Sequence, residues 1–208
     1  LPPRNHLQCG GFHSRTCVQG LIHRSSPARS AQKPSGFSAA LRAVVTPERL
    51  TAALLSSDQR EPSEAWQFVE AHWDQFSESL KATGLIGGLT SPRVDVPVGG
   101  RVSQGVVSRA WGFIGSNWTE FSPELQAVVT PERLADALVS QGEGVAAAAW
   151  EFLDDRWDGP LPATLQAVVT PERLTRAFAS SIPDEVGVEA WAFVEMYWET
   201  LPSPLQEA

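Results

Sequence analysis

The segment Ala149–Asp158 reads AWEFLDDRWD, and its pattern A-W-x-F-(V/I/L)-x3-W occurs four times in the chain. The copies begin at Ala65, Ala110, Ala149 and Ala190, and they contain all eight tryptophans of the sequence. The first tryptophan, the residue three positions later and the second tryptophan, seven positions later, fall on one face of an α-helix. The pattern therefore predicts an amphipathic helix that recurs at a period of about 40 residues.

A second string, AVVTPERL, occurs at residues 43–50, 127–134 and 167–174. The last two copies start 167 − 127 = 40 residues apart, and the first two start 127 − 43 = 84 apart, which is two periods plus a small insertion. Proline disfavours helical geometry at the residue before it, yet it suits the first position of a new helix that a threonine can cap. Each copy thus predicts a short helix that ends at Thr-Pro and a second helix that begins there.

The two patterns together predict an all-α fold, in which each complete unit contributes three helical pieces. The expected helical repeat domain is 37–208. Its units are 37–75, 76–120, 121–160 and 161–200, followed by a partial unit at 201–208. One unit is too small to bury two tryptophans and a phenylalanine, whereas stacked neighbours can bury them. We therefore expect a right-handed α-solenoid of four repeats. Its structural core is predicted to contain Trp66, Trp73, Trp111, Trp118, Trp150, Trp157, Trp191 and Trp198.

The second unit departs from the pattern because it lacks the TPERL helix. Six glycines lie between Gly84 and Gly105, and prolines stand at positions 92 and 97. This composition predicts a loop, since glycine and proline both disfavour helix interiors. A long loop in a regular array is either an interaction site or a decayed repeat. The candidate interaction residues are Gly87, Gly88, Arg93, Gly99, Gly100 and Arg101.

Charge divides the chain into a basic leader and an acidic body. Residues 1–47 contain six Lys or Arg and no acid, so residues 48–208 hold all 24 acids against 16 − 6 = 10 bases, a balance of −14. Residues 1–36 are rich in Arg and Ser, which is the composition of a mitochondrial or plastid transit peptide. A disordered basic tail would also fit this composition, and the protein would then be cytoplasmic. The acidic body favours protein partners with basic surfaces and disfavours nucleic acid.

No pattern of catalytic or metal-binding residues is visible. The sequence contains no H-E-x-x-H zinc helix, no G-x-S-x-G elbow and no phosphate-binding glycine motif. Three of the four histidines and both cysteines lie in the leader, where their order matches no standard zinc finger. No apolar run approaches the ~20 residues that span a bilayer. We therefore predict no enzyme activity, no cofactor, no metal, no small-molecule substrate and no membrane span.

The strings AWQFVEAHWD at 65–74 and AWEFLDDRWD at 149–158 resemble a signature of the C-terminal helical domain of aminopeptidase N-type zinc peptidases, A-W-x-F-(V/L)-x-x-N-W-(D/E). Asn117-Trp118 completes the likeness once. The resemblance implies a HEAT-like helical bowl without catalysis, because the zinc helix and the G-A-M-E-N strand of that family are absent. The repeat is also similar in size to armadillo and HEAT repeats.

Three functions fit these observations. The first is a non-catalytic scaffold or protein-interaction subunit of a larger organellar complex. The second is a detached C-terminal helical domain of a zinc aminopeptidase, as the resemblance implies. The third is an organellar RNA-binding repeat protein, which the acidic body disfavours.

Overall fold

The computed structural model describes residues 44–58, 60–91, 97–98, 101–102, 105–142, 144–179 and 186–206. The predicted leader, residues 1–36, lies outside them. The prediction of an all-α fold is confirmed over the described residues, where the regular structure is helical apart from two strands of two residues each. These strands, β1 (Pro97–Val98) and β2 (Arg101–Val102), pair antiparallel with Pro97 opposite Val102.

The helices follow the order expected from the repeated strings. Their bounds are α1 Pro47–Leu54, α2 Glu61–His72, α3 Glu78–Thr90, α4 Val106–Asn117, α5 Pro123–Gln126, α6 Pro131–Leu138, α7 Val145–Asp154, α8 Ala163–Gln166, α9 Pro171–Phe178, α10 Val186–Tyr197 and α11 Ser203–Gln206. A 3-10 turn continues α2 at Trp73–Gln75, and another continues α4 at Trp118–Glu120. The tryptophan patterns therefore lie on α2, α4, α7 and α10.

The three TPERL segments form α1, α6 and α9 through the same local contacts. In each, the threonine hydroxyl accepts a hydrogen bond of 3.3 Å from the backbone N–H of the arginine three residues later. Proline occupies the first turn, where its missing N–H is no loss. The arginine turns back and donates Nη1 to the carbonyl of the valine two residues before the threonine, at 2.5 Å for Arg133 and 2.6 Å for Arg173. The predicted break at Thr-Pro is present between α5 and α6 and between α8 and α9.

The loop predicted for the second unit is wrong for the part that includes Gly84, Gly87 and Gly88, because Glu78–Thr90 is one continuous helix. Ser77 caps α3 by accepting a hydrogen bond of 3.3 Å from the Leu80 N–H. No Thr-Pro pair interrupts this segment, so α3 takes the place of the two shorter helices found in the third and fourth units.

Close packing explains why glycines are tolerated inside α3. A Cβ built on Gly88 would lie 2.5 Å from Cζ3 of Trp66, and one on Gly87 would lie 2.6 Å from Cδ1 of Leu54. Because glycine has no side chain, α3 can approach α1 and the Trp66 ring this closely. The burial gained by this approach offsets the ~1 kcal/mol that glycine costs in a helix interior. A composition rule cannot anticipate such a contact.

The helices contact one another in a regular order. The tryptophan helices contact one another in chain order, α2 with α4, α4 with α7 and α7 with α10. Each also packs on the preceding helix of its own unit: α1 on α2, α3 on α4, α6 on α7 and α9 on α10. Among the other helices, α1 contacts α3 and α6 contacts α9. The buried side chains form one hydrophobic cluster that runs from Leu50 to Leu205.

Candidate interaction surface

Tryptophan pairs of the first three units enclose a phenylalanine that belongs to the next unit. We call each such arrangement an aromatic clasp. The three clasps are Trp66 and Trp73 around Phe113, Trp111 and Trp118 around Phe152, and Trp150 and Trp157 around Phe193. Ring centroids in these six contacts lie 4.9–5.9 Å apart, within the range favoured by edge-to-face and tilted aromatic pairs. The phenylalanine two positions after the first tryptophan thus links each unit to the one before it.

The exposed fraction of each tryptophan side chain depends on whether the tryptophan belongs to one of these clasps. Trp66, Trp111, Trp118 and Trp150 are at most 1% exposed, and Trp157 is 8% exposed. Trp73 is half-buried and packs against the core. The prediction that all eight lie in the core is wrong for the last two, because Trp191 is 60% exposed and Trp198 is 47% exposed. Within the described residues, no phenylalanine-bearing helix follows α10 to cover them.

An exposed apolar surface results at the end of the helical array. We define the terminal face as Phe178, Val188, Trp191 and Trp198. These are four of the eight large hydrophobic side chains that are exposed among the described residues. Phe178 and Trp191 contact each other edge to face at 5.8 Å. The sequence analysis did not find this surface.

A charged contact accompanies the first clasp. Glu70 of α2 forms an ion pair with the guanidinium of Arg109 in α4. The other carboxylate oxygen of Glu70 accepts a hydrogen bond of 2.7 Å from Trp66 Nε1. Glu70 stands five positions after the alanine of its pattern, and Arg109 stands one position before the alanine of the next. The same relative position on the terminal face is held by Glu195, whose side chain is exposed.

Hydrogen bonds to the backbone accompany the second and third clasps. Arg156 Nη2 donates to the Gly115 carbonyl at 2.6 Å, and Tyr197 Oη donates to the Asp154 carbonyl at 2.7 Å. Arg156 and Tyr197 both stand four positions after the clasped phenylalanine. Gly115 and Asp154 both stand five positions after the alanine of their patterns, as Glu70 does. Each clasp is therefore paired with a polar link to one fixed position of the preceding helix.

Exposed carboxylates recur at the start of α1, α6 and α9. We call Glu48, Glu132 and Glu172 the TPE carboxylates, and all three side chains are exposed. The pKa of each lies below its ordinary value because the carboxylate accepts a hydrogen bond from its own backbone N–H and from the threonine two residues earlier. They are therefore negatively charged at neutral pH.

The predicted interaction loop is not assembled into a site by the described residues. Gly87 and Gly88 are buried within α3. Arg93, Gly99 and Gly100 lie outside the described residues, and Arg101 is described only as part of the β2 backbone. An interaction role for these six positions stays a prediction.

Other kinds of site find little support in the part of the chain that the structure describes. No group of three His, Cys, Asp or Glu side chains there could hold a metal ion. None of the helices there combines the length and the apolar character that a bilayer crossing requires. An open cavity of about 340 Å³ lies between α5 and α8, but its lining, which includes Pro123, Ala127, Pro162 and Leu165, carries no charged group.

No protein-family model, no curated protein and no solved structure matches the chain. Its function is therefore inferred from the chemistry of its own surfaces.

Proposed function

We propose that the protein is a non-catalytic helical-repeat scaffold, a right-handed α-solenoid of four repeats that binds proteins with basic surfaces as a subunit of a larger assembly. The three aromatic clasps support the repeat arrangement, because each joins only neighbouring units. The Arg- and Ser-rich composition of residues 1–36 supports a mitochondrial or plastid location.

The observation that carries this proposal is the orientation of the charged side chains in the repeated helices. Arg133, Arg156 and Arg173 are partly buried and donate to backbone carbonyls, Arg109 pairs with Glu70, and Arg49 donates to a backbone carbonyl while it stays exposed. The TPE carboxylates, next to three of these arginines in sequence, are exposed at the start of each helix.

This orientation favours a protein partner over a nucleic acid. Phosphate contacts require accessible Lys or Arg side chains, and binding would have to overcome repulsion from the exposed carboxylates. A basic protein surface would instead be attracted to them, with an association rate that falls as salt is added.

The proposal is tested by purifying the tagged full chain from its native source and identifying cross-linked partners. We expect a basic partner whose retention falls with rising salt and falls further in the triple variant Glu48→Gln, Glu132→Gln, Glu172→Gln. The matched control is Asp74→Asn, Glu120→Gln, Asp158→Asn, which removes the same charge from exposed positions after the tryptophan helices. Melting curves check that both variants stay folded.

Two outcomes would contradict the proposal. Equal retention by the two triple variants would show that the TPE carboxylates do not recognise the partner. Retention of RNA that nuclease treatment abolishes would favour the RNA-binding function instead.

A further inference from the structure

We propose that the open cavity between α5 and α8 binds a segment of the protein partner in which an apolar side chain has a Lys or Arg beside it. The apolar side chain enters the cavity, and the cation meets Glu132 at its edge. We call this cavity with its edge the α5–α8 groove. The inference deepens the proposed function and rests on its premise that the partner is a protein with a basic surface.

The size of the α5–α8 groove suits a few side chains. Its volume is about 340 Å³, near the lower end of the range of about 300–1,000 Å³ that is typical of ligand pockets. One turn of an α-helix with its side chains, about 10–12 Å across and 5.4 Å long, would occupy roughly 400–600 Å³. The groove is therefore too small for a helical turn, but it can take side chains that project from a partner segment.

The lining of the α5–α8 groove is mostly apolar. Val129 and Leu165 line it and are buried, whereas Pro123, Ala127 and Pro162 line it and are exposed. An apolar side chain in the groove would contact both helices and remove these exposed groups from water, which is favourable. The apolar part of the partner segment follows from this lining.

Most polar groups of the lining already have partners within the protein. Three polar side chains line the groove: Gln126, Thr130 and Thr164. Gln126 Nε2 donates to the Trp118 carbonyl at 2.9 Å. The Thr130 hydroxyl accepts a hydrogen bond of 3.3 Å from the Arg133 N–H and donates to the Glu132 carboxylate. A polar small molecule would find few groups to orient it here, whereas an apolar side chain needs none.

The two sides of the α5–α8 groove are held in place before anything binds. Arg133 Nη1 donates to the Val128 carbonyl at 2.5 Å, which fixes the corner between α5 and α6. Gln166 Nε2 donates to the Trp157 carbonyl at 3.0 Å, which fixes α8. Three lining residues are prolines, whose backbone torsion φ is locked. Little conformational freedom is therefore lost when a segment binds, and this lowers the cost of association.

The charge at the edge of the groove determines the polar part of the partner segment. Glu132 is exposed, and its carboxylate is hydrogen-bonded to Thr130, which lines the groove. The carboxylate therefore lies within reach of a segment bound there. Among the described residues, no Lys or Arg forms an ion pair with Glu132. A Lys or Arg of the partner can thus approach it without displacing an existing partner.

The overall charge of this chain disfavours a second copy as the occupant. Residues 48–208 contain 24 acids and 10 bases, a balance of −14. Bringing two such surfaces together sets like charges against each other, which opposes binding. A different protein with a basic surface does not have this penalty.

The first experiment identifies the bound segment by photo-cross-linking. An uncharged diazirine-bearing lysine analogue replaces Thr164, which is exposed and lines the groove, in the full chain in its native source. The same analogue at Thr175, which is exposed in α9 and does not line the groove, is the control. We expect the first probe alone to attach to one segment of another protein, with an apolar residue next to Lys or Arg.

The second experiment measures binding of that segment to the full chain, as a synthetic fluorescent peptide followed by anisotropy. Ala127→Trp should weaken binding by at least about tenfold, because the new ring fills the groove, and Ala127 is exposed, so the fold should be kept. Glu132→Gln should weaken binding by about threefold. In the peptide, changing the apolar residue to Ala should weaken binding by at least about tenfold.

A gain of affinity supplies a control that misfolding cannot mimic. Thr164→Glu adds a carboxylate to the lining and should tighten peptide binding by about threefold at low salt. Thr175→Glu adds the same charge in α9, outside the groove, and should change binding by less than about 1.5-fold.

Four results would overturn the proposal. The first is attachment of the Thr164 probe to a peptide of this chain or to a nucleic acid, which would assign the groove to another occupant. The second is attachment of both probes to the same segments. The third is undiminished peptide binding by Ala127→Trp, and the fourth is equal effects of Thr164→Glu and Thr175→Glu.

Failure of this inference can be distinguished from failure of the proposed function. If the native partner is lost in the triple variant of the TPE carboxylates but is fully retained by Ala127→Trp, only the groove assignment fails. If the peptide binds in the groove while retention of the whole partner is insensitive to salt and to the triple variant, recognition of a basic surface fails instead.

Discussion

The pair Trp150 and Trp157 and the pair Trp191 and Trp198 have the same spacing on helices of the same pattern, yet their surroundings are opposite. The first pair encloses Phe193 and is at most 8% exposed, whereas the second is 60% and 47% exposed. The difference shows that burial is not a property of the helix that carries the tryptophans. It depends on the helix that packs against the pair, because Phe193 of α10 lies between Trp150 and Trp157.

Burial in a filled clasp also has a cost that the terminal pair avoids. The indole N–H groups of Trp118 and Trp150 are buried without a hydrogen-bond partner, at about 1–3 kcal/mol each. A large aromatic side chain buries about 150–250 Å², which at about 25 cal/mol per Å² stabilises the fold by roughly 4–6 kcal/mol. The aromatic contact therefore outweighs the unpaired N–H, and the clasp is favourable overall.

The largest expected effect comes from emptying the third clasp. Phe193→Ala should lower the free energy of unfolding by about 3–5 kcal/mol, because it removes a fully buried ring and leaves a cavity between two tryptophans. Trp191→Ala, the control on the terminal face, should cost less than about 1 kcal/mol. Urea denaturation followed by circular dichroism measures both, and equal losses would show that the two pairs do not differ in packing.

The sequence predicted the local structure well where the signal lies within one helix. The period of the A-W-x-F pattern and the Thr-Pro capping chemistry depend on residues at most a turn or two apart, so the tryptophan helices and the breaks before α6 and α9 could be anticipated. Features that depend on residues far apart in the sequence could not be anticipated. Whether Trp191 is covered depends on a helix of another unit, and no periodicity within α10 carries that information.

The second unit shows the same limit of sequence-based prediction, here for a segment that was expected to be a loop. Glycines at positions 84, 87 and 88 predicted a loop, yet they lie in α3 where it approaches Leu54 and Trp66. Intrinsic propensity is a weak constraint that tertiary packing overrides. Only the contacts, which the sequence does not display, distinguish a packing glycine from a loop glycine.

A second prediction disturbs the first clasp where α3 packs against the Trp66 ring. Gly88→Ala should lower the free energy of unfolding by about 1–3 kcal/mol, because the new Cβ would lie 2.5 Å from the Trp66 ring and 3.2 Å from Ala110 Cβ. Gly112→Ala is the matched control in α4, since nothing lies within 4 Å of a Cβ at that exposed position. That change should stabilise the protein by about 0.4–1 kcal/mol. Thermal or urea unfolding that gave both variants the same sign would contradict the close-packing account of α3.

A smaller effect is expected from the polar link beside the third clasp. Tyr197→Phe removes the hydroxyl that donates to the Asp154 carbonyl and should cost about 0.5–1.5 kcal/mol in unfolding free energy. Trp198→Phe, one residue further along and exposed, should change it by no more than about 0.5 kcal/mol. If the tyrosine variant were as stable as the original, the hydroxyl link would contribute nothing to holding α10 against α7.

The last prediction concerns the ionisation of that hydroxyl. The pKa of Tyr197 is raised above its ordinary value, first by burial and then by the negative charges of Asp154, Asp158 and Asp155. A phenol with a raised folded-state pKa favours the folded protein below its unfolded pKa, and this contribution is lost as the pH rises through the folded pKa. Stability should therefore begin to fall above pH ~10.

Tyr197 is the only tyrosine in the sequence, so absorbance of the phenolate near 295 nm follows this one group. Its titration should occur at higher pH in the folded protein than in denaturant, and Asp158→Asn should move the folded value part of the way back because one of the neighbouring charges is lost. Asp136→Asn, which removes an exposed charge from α6, is the control and should leave the titration where it was. Identical titrations with and without denaturant would mean that the Tyr197 hydroxyl is as open to water as the rings of the terminal face. The contrast in burial between the filled clasp and the terminal face would then not extend to their polar links.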